Sequence, residues 1–293
     1  MKGWLVVNSF VKWDKFSEIY GLLLEAGRKV GVLLEMKTSS DIFCSVQSRF
    51  SKVSLPDFAI FWDKDILLAR RLEKLGIRLF NPSDCIEICD DKGQTAIALV
   101  ESGIRTPLTF LSPKAYPAYG CTDMAFLREA ESFLGYPMII KENRGSFGQQ
   151  VHLVKSSEEA ESLIASFREH PFIMQQYIEE SAGRDVRINV VGDRAIASMY
   201  RYNDNDFRSN ITNGGSMKRF DATPEQEELA IAACRAIGLD FAGVDVLFGK
   251  DGPIICEVNS NPHFKTTLEC TGINMAEHIM TYILEVMSGQ SRT

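Results

Sequence analysis

The sequence predicts a small parallel-sheet α/β domain followed by a larger α+β region, and three observations carry that prediction. Over the first 88 residues, short apolar runs alternate with amphipathic stretches, the pattern of βαβ units. From Phe172 onward the texture changes to long alternating strands with few helices between them. Between the two, Asn81-Pro82-Ser83-Asp84 punctuates the chain and offers a helix N-cap.

Taken in order, the first domain reads as strand 4–7, helix 15–26, strand 29–36, strand 57–62, helix 66–75 and strand 77–81. A boundary is expected near residue 88, so the domain spans 1–88. A middle unit, 89–171, carries helices near 92–103, 123–134 and 157–168 around the short strands TFL, PMIIKE and QVHLV. The last unit, 172–293, holds the strands FIMQQYI, DVRINVVG, RAIASMYRY, AGVDVLFG and PIICEVN, with helices over 224–237 and 273–287. The polar connection from Asn203 to Ser216 is its one long loop, and long loops inside compact domains are disproportionately functional.

Composition narrows the function classes. The 293 residues carry 32 basic and 39 acidic side chains, a net charge of −7, which disfavours bulk binding to nucleic-acid phosphates. No apolar run approaches the roughly 18 residues of a membrane helix, and the N-terminus leads straight into a strand-like LVV instead of a signal-peptide core, so a cytoplasmic protein is expected. Seven cysteines, odd in number and never at C-x-x-C spacing, suggest neither a disulfide framework nor a zinc site.

The segment VDVLFG-KDG-PIICEVN reads as a hairpin with a three-residue loop centred on Asp251, with Gly252 at the left-handed position. Six positions to either side of that centre, Asp245 faces Glu257. Facing Cβ atoms lie ~5 Å apart, so either one carboxyl titrates upward or a cation lies between them. Asn259 projects from the same face, and an Asp, a Glu and an amide oxygen together suit Mg²⁺ better than Zn²⁺. A solvated face carrying ordinary charges is the alternative, and a one-residue slip would undo the pairing.

Two further segments attract attention. MIIKENRGSFGQQVHLV places Lys141 at the end of an apolar strand, ahead of Gly145 and Gly148, where backbone N–H groups and an ammonium could meet phosphate oxygens; a plain turn is the alternative. Neither a P-loop nor a G-x-G-x-x-G fingerprint is present. Residues 184–219 carry seven basic and four acidic side chains. In DVRINV, Asp185, Arg187 and Asn189 share one strand face, which is either solvated or turned to an anionic ligand. The loop DFRSNITNGGS adds Arg208, Ser209 and Asn210 beside a flexible Gly214-Gly215, a set suited to a transferring phosphoryl group.

The order of lysine with glycine turn, QQYI, DVR, DFRSN with a nearby Gly-Gly, AGVD and EVN resembles the ATP-grasp superfamily, and within it the RimK-type carboxylate–amine ligases, which are alpha-L-glutamate ligase-like. The resemblance covers roughly residues 83–285, and the first domain looks like the usual pre-ATP-grasp domain. It implies an ATP-grasp fold of two subdomains clasping ATP, with Mg²⁺, two ions in the usual arrangement, or Mn²⁺ in its place. Lys92 and Lys141 would reach the ATP phosphates, the backbone of Gln176, Tyr177 and Ile178 the adenine, and Asp185 the nucleotide. Arg208, Ser209 and Asn210 match the phosphate-contacting trio, with Arg208 and Asn210 catalytic, and Asp245, Glu257 and Asn259 match the metal ligands. Gln176 and Gln150 depart from the family pattern, and Ser260-Asn261-Pro262-His263-Phe264-Lys265 replaces its frequent small continuation after EVN.

The implied reaction forms an acyl phosphate from a carboxylate and ATP, then an amide from an amine, attaching a glutamate-like amino acid to a small molecule or peptide terminus. Neither nucleic acid nor membrane is an expected partner, and a homo-oligomer is compatible. Of the histidines, His152, His170 and His278 read as structural or surface residues, while His263 is placed to touch substrate or help deprotonate the amine. The rivals are an ATP-grasp kinase and a nucleotide-binding module without turnover; the presence of all three metal-ligand candidates and Arg208 counts against the second.

Overall fold

In the computed structural model, residues 1–11, 14–43, 45–47, 55–145 and 148–289 are described, and they form three sheets. Ser146 and Phe147 of the glycine turn, and Cys44, lie outside the described residues.

The first sheet is all parallel in the order β2-β1-β3-β4, from β1 (Lys2–Val7), β2 (Leu33–Thr38), β3 (Phe58–Trp62) and β4 (Arg78–Phe80). Its inner strands are apolar on both faces, because α1 (Asp14–Lys29) and α2 (Ile66–Lys74) supply core on opposite sides; Leu5 and Ile60 pack with Ile19 and Leu23, Val6 and Phe61 with Ala69 and Leu72. This is the βαβ arrangement the apolar runs predict.

The expected boundary near residue 88 falls inside a helix, α3 (Ser83–Asp90), which Asp91 separates from α4 (Lys92–Glu101). The second sheet has the order β5-β8-β6-β7, from β5 (Thr109–Leu111), β6 (Met138–Glu142), β7 (Val151–Val154) and β8 (Phe172–Gln176). It is covered by α5 (Ala125–Leu134) and α6 (Ser157–Phe167), whose Leu127, Ala130 and Ile164 meet Ile140, Phe172 and Met174. The strand at Phe172–Gln176, assigned from sequence texture to the last unit, therefore pairs with β5 and β6. A break at 171/172 would sever that sheet. Sequence order misled because an antiparallel strand can return to its sheet after a helix.

The third sheet is antiparallel in the order β11-β10-β9-β12-β13, from β9 (Arg184–Val191), β10 (Arg194–Tyr202), β11 (Ser216–Arg219), β12 (Phe241–Gly249) and β13 (Gly252–Asn259). One face packs under α7 (Pro224–Ile237), opened by a Thr223–Gln226 capping box and closed by Gly238 at φ 87°. The strand β11 and the helix α8 (Lys265–Thr271) have no counterpart in the sequence reading; both are short and weakly patterned. The last helix, α9 (Met275–Met287), begins at Met275, where Asn274 caps it. Its Ile279, Met280 and Ile283 pack with Ile19 and Leu23, so the chain ends by completing the core of its first domain.

Asn81 ties that domain to the third sheet. Wholly buried, it donates to the carbonyls of Phe241 and Ser260 at 2.9 and 2.8 Å and accepts from the Asp240 and Phe241 amides at 2.7 and 3.2 Å. Trp62 stacks on Phe241 and meets Phe264 edge-on nearby. This junction sets where the residues after β13 stand.

Candidate active site

The free face of the third sheet is a lattice of polar side chains made by strand pairing. Arg187 on β9 stands opposite Asp245 on β12, which stands opposite Glu257 on β13. One row over, Asn189, Gly243 and Asn259 align. On the other side Asp185 faces Arg201 of β10. Gly243 keeps this surface open: a Cβ there would lie 2.8 Å from Pro262 and 2.9 Å from Arg187 Nη1.

The hairpin delivers the expected Asp245–Glu257 pair by a different route. Its turn has two residues, Lys250 and Asp251, because Gly249 pairs with Gly252. A bulge then leaves Cys256 without a partner opposite Val246 and restores the register at Glu257.

The electrostatics of the carboxylates differ sharply. Asp245 is 4% exposed; burial works to raise its pKa, but Arg187 and Arg201 outweigh this and hold it below the usual range. Arg187 binds both of its oxygens, and Arg201 Nη2 reaches Oδ1 at 2.8 Å. Arg201, itself buried, also grips Asp185 through Nε and Nη2 at 2.7 and 2.5 Å; burial opposes its charge, and the two aspartates more than restore it. Glu257 by contrast has neither hydrogen bond nor ion pair among the described residues. Asn259 donates Nδ2 to the Gly243 carbonyl at 3.3 Å, which leaves its amide oxygen as an acceptor. Glu257 and the Asn259 amide oxygen are open oxygen donors of the kind a hard divalent cation takes, whereas both oxygens of the expected ligand Asp245 are engaged by arginines and would have to be released in part to join them. Among the described residues no cluster of three or more His, Cys, Asp or Glu offers a competing site.

Around an inner cavity of about 130 Å³ the structure brings together Lys92, Lys141, Asp185, Asp245 and Glu257, the stretch Gln176, Tyr177 and Ile178, and the loop residues Arg208, Ser209 and Asn210. Asn259 lines instead an outer cavity of about 690 Å³, joined to the first through the shared Gly145, Arg201, Asn210 and Glu257. Lys141 is only 5% exposed and has no hydrogen bond or ion pair among the described residues, a buried cation awaiting an anion. Lys92, whose pKa burial lowers, points Nζ at the Gly145 carbonyl at 3.1 Å. Arg208 holds Asp206 with two nitrogens and donates Nη1 to the Gly148 carbonyl at 2.7 Å, bridging the long loop to the glycine turn. Gly214 takes φ 83°, while Gly215 serves close approach: a Cβ would lie 2.4 Å from the Ser209 carbonyl oxygen. The glycine pair thus shapes the loop that carries Arg208 tightly, where the sequence suggested flexibility. At the strand end, the Gln176 amide donates to the Leu108 carbonyl at 2.9 Å.

Arg187 and Arg201 complete the site and were not among its expected residues. Arg187 depends on pairing between strands that are not neighbours in sequence. Arg201 is displaced by a bulge at Ala195/Ala197, without which it would face Arg184. His263 lines the outer cavity, edge-on to Phe16 at 6.1 Å between ring centres.

Comparison with known proteins agrees with this geometry. The RimK-like ATP-grasp domain matches residues 89–283. A protein of Shewanella oneidensis named probable alpha-L-glutamate ligase 1 is 35% identical over 226 residues, covering 76% of this chain and 72% of that one. Beta-citrylglutamate synthase B of Danio rerio is 34% identical over 230 residues, 77% of this chain and 55% of that one. Among solved structures, a RimK domain ATP-grasp protein of Sphaerobacter thermophilus superposes with a TM-score of 0.74 at 19% identity, covering 96% of this chain and 99% of that one. D-alanine–D-alanine ligase of Bacillus anthracis, also solved with ATP, gives 0.74 at 18% identity, covering 99% and 100%. The chain belongs to the RimK-like ATP-grasp family, and its chemistry is the ATP-dependent ligation of a carboxylate to an amine.

Proposed function

We propose that the chain activates a small carboxylic acid as an acyl phosphate in the inner cavity and passes it to an amine entering from the outer one. Buried Lys141, without a partner among the described residues, carries this reading, because such a cation in a cavity also lined by Lys92 and Arg208 calls for a polyanion. In the first step a substrate carboxylate oxygen attacks the γ-phosphorus, and the bond to the ADP oxygen breaks. In the second the amine nitrogen attacks the acyl carbon, phosphate leaves with the electron pair, and the nitrogen gives up a proton.

Lys141 and Lys92 hold phosphate oxygens, and Arg208 covers the phosphoryl group in transit, with Ser209 and Asn210 beside it. The Gln176–Ile178 backbone receives the adenine. Arg201, through its two contacts, holds Asp185 in place at the nucleotide. A divalent cation at Glu257, Asn259 and Asp245, Mg²⁺ by the hardness of the donors and Mn²⁺ as substitute, would neutralise charge on the phosphates. ATP use and the six cysteines found free among the described residues support a cytoplasmic setting. The names of the relatives make glutamate the first amine to try, with a small molecule or peptide terminus as the acid. The test is ADP release screened over a matrix of acids and amines, with hydroxylamine trapping. Release requiring both substrates, and a hydroxamate when the amine is withheld, is expected; a stable phosphorylated alcohol would identify a kinase.

A further inference from the structure

The outer cavity has a wall that ligation chemistry alone does not explain. The first domain supplies Phe10, Val11, Phe16, Tyr20 and Trp62 to it, with Asp63 among them. Phe10 is 82% exposed at the rim, and Asp63, which directly follows the inner strand β3, is half-buried. Both Asp63 oxygens accept from Asn8 Nδ2, at 3.3 and 3.1 Å, and Oδ1 accepts the Lys64 amide at 2.7 Å. These donors are neutral. The adjacent ammonium, Lys64, is engaged by Asp90 at 2.5 Å, so no cation compensates Asp63 among the described residues. Burial accordingly pushes the Asp63 carboxyl up, and its charge in turn adds to the effect of burial in raising the Tyr20 phenol.

A second observation falls at the same place. Asn261, from the segment after β13, donates Nδ2 to the Asp63 backbone carbonyl at 3.1 Å, which fixes its amide orientation and leaves the enclosed Oδ1 without a donor. A carboxylate with no counter-charge among the described residues and an amide oxygen with no donor among them belong to two residues in contact through the Asp63 carbonyl, lining one cavity with Phe16, Tyr20 and Trp62. Both need N–H donors, one needs positive charge, and the rings favour a cation with an apolar body. A second glutamate-like carboxylate finds little among the described residues here, because their cations are occupied: Lys64 by Asp90, Arg187 by Asp245, and Arg201 by Asp185 and Asp245.

We infer that Asp63, with Asn261 and the Phe16–Tyr20–Trp62 wall, is the ammonium-recognition site for the amine substrate, and that this amine carries an uncharged apolar or aromatic body. The inference rests on the ligase reading and departs from the glutamate that the relatives' names suggest as amine, because the Phe16–Tyr20–Trp62 wall favours an apolar body. Asp63 acts as a binding residue for the incoming group; the ammonium releases one proton to solvent before its nitrogen attacks the acyl carbon, and a second as the amide forms.

The test is calorimetric titration of the full chain, loaded with ADP and Mg²⁺, with 2-phenylethylamine, its uncharged isostere 2-phenylethanol, and glutamate. The amine should bind at least about tenfold more tightly than the alcohol, and more tightly than glutamate. Asp63→Asn should bring amine and alcohol within about twofold of each other while ATP affinity stays at the parent value. Equal binding of amine and alcohol to the parent protein overturns the proposal, as does an amine advantage that survives Asp63→Asn. The parent comparison stands on its own should the variant not fold. Hydroxamate formation by the parent is read separately: its absence with every acid speaks against the ligase reading, while its presence with no amine preference speaks against Asp63 alone.

Discussion

At the scale of single residues, the site rests on two side chains without partners among the described residues, Glu257 and Lys141, and each yields a prediction. Glu257→Gln keeps the shape of the side chain and removes the charge a divalent cation needs. Turnover should fall at least about a hundredfold, with the circular dichroism spectrum and melting temperature unchanged. Full activity at ordinary Mg²⁺ would remove Glu257 from the metal site. Lys141→Met preserves length and packing and relieves a buried unpaired charge, so the variant should be at least as stable as the parent in urea. Its ATP affinity or rate should nevertheless drop by at least about tenfold. A surface lysine would show neither effect, so the pairing of gained stability with lost activity is the diagnostic result.

Among elements, the decisive features are bulges and close-packed glycines. Gly215→Ala would press a Cβ against the Ser209 and Asn210 carbonyls at 2.4 and 2.9 Å and shift the segment that carries Arg208. Turnover should fall about 10–100-fold, while adenine binding, measured with adenosine, should be retained. A variant with parental turnover would show that this loop tolerates displacement. The same elements show what was legible in advance. Apolar periodicity placed the strands and helices of the first domain, since inner strands of a parallel sheet are apolar throughout and its helices strongly one-sided. The Asp245–Glu257 pair was also legible, although an assumed three-residue loop stood in for a two-residue turn plus a bulge at Cys256. The irregularity at Ala195/Ala197 hides the Asp185–Arg201 pair from any count of positions along the β9–β10 hairpin. Arg187 meets Asp245 across strands distant in sequence, and no local pattern encodes that pairing.

For the molecule as a whole, the first domain and the third sheet are joined through Asn81, Trp62 and α9, and this junction positions the segment from Asn259 to His263. Asn81→Ala would orphan two buried amides and two carbonyls. It should destabilise the chain by about 3 kcal/mol or more, measured by urea denaturation, and should also weaken binding at the outer cavity. Loss of stability below about 1 kcal/mol would mean that solvent repairs the junction. Gly145, Arg201, Asn210 and Glu257 line both cavities. A change at any of the four alters both compartments at once. Where an amine enters past these residues water can follow it, so the tightness with which an acceptor fills the outer compartment governs how much nucleotide is consumed futilely. The stoichiometry of ADP to amide, and not the rate alone, is then the quantity that registers the quality of fit.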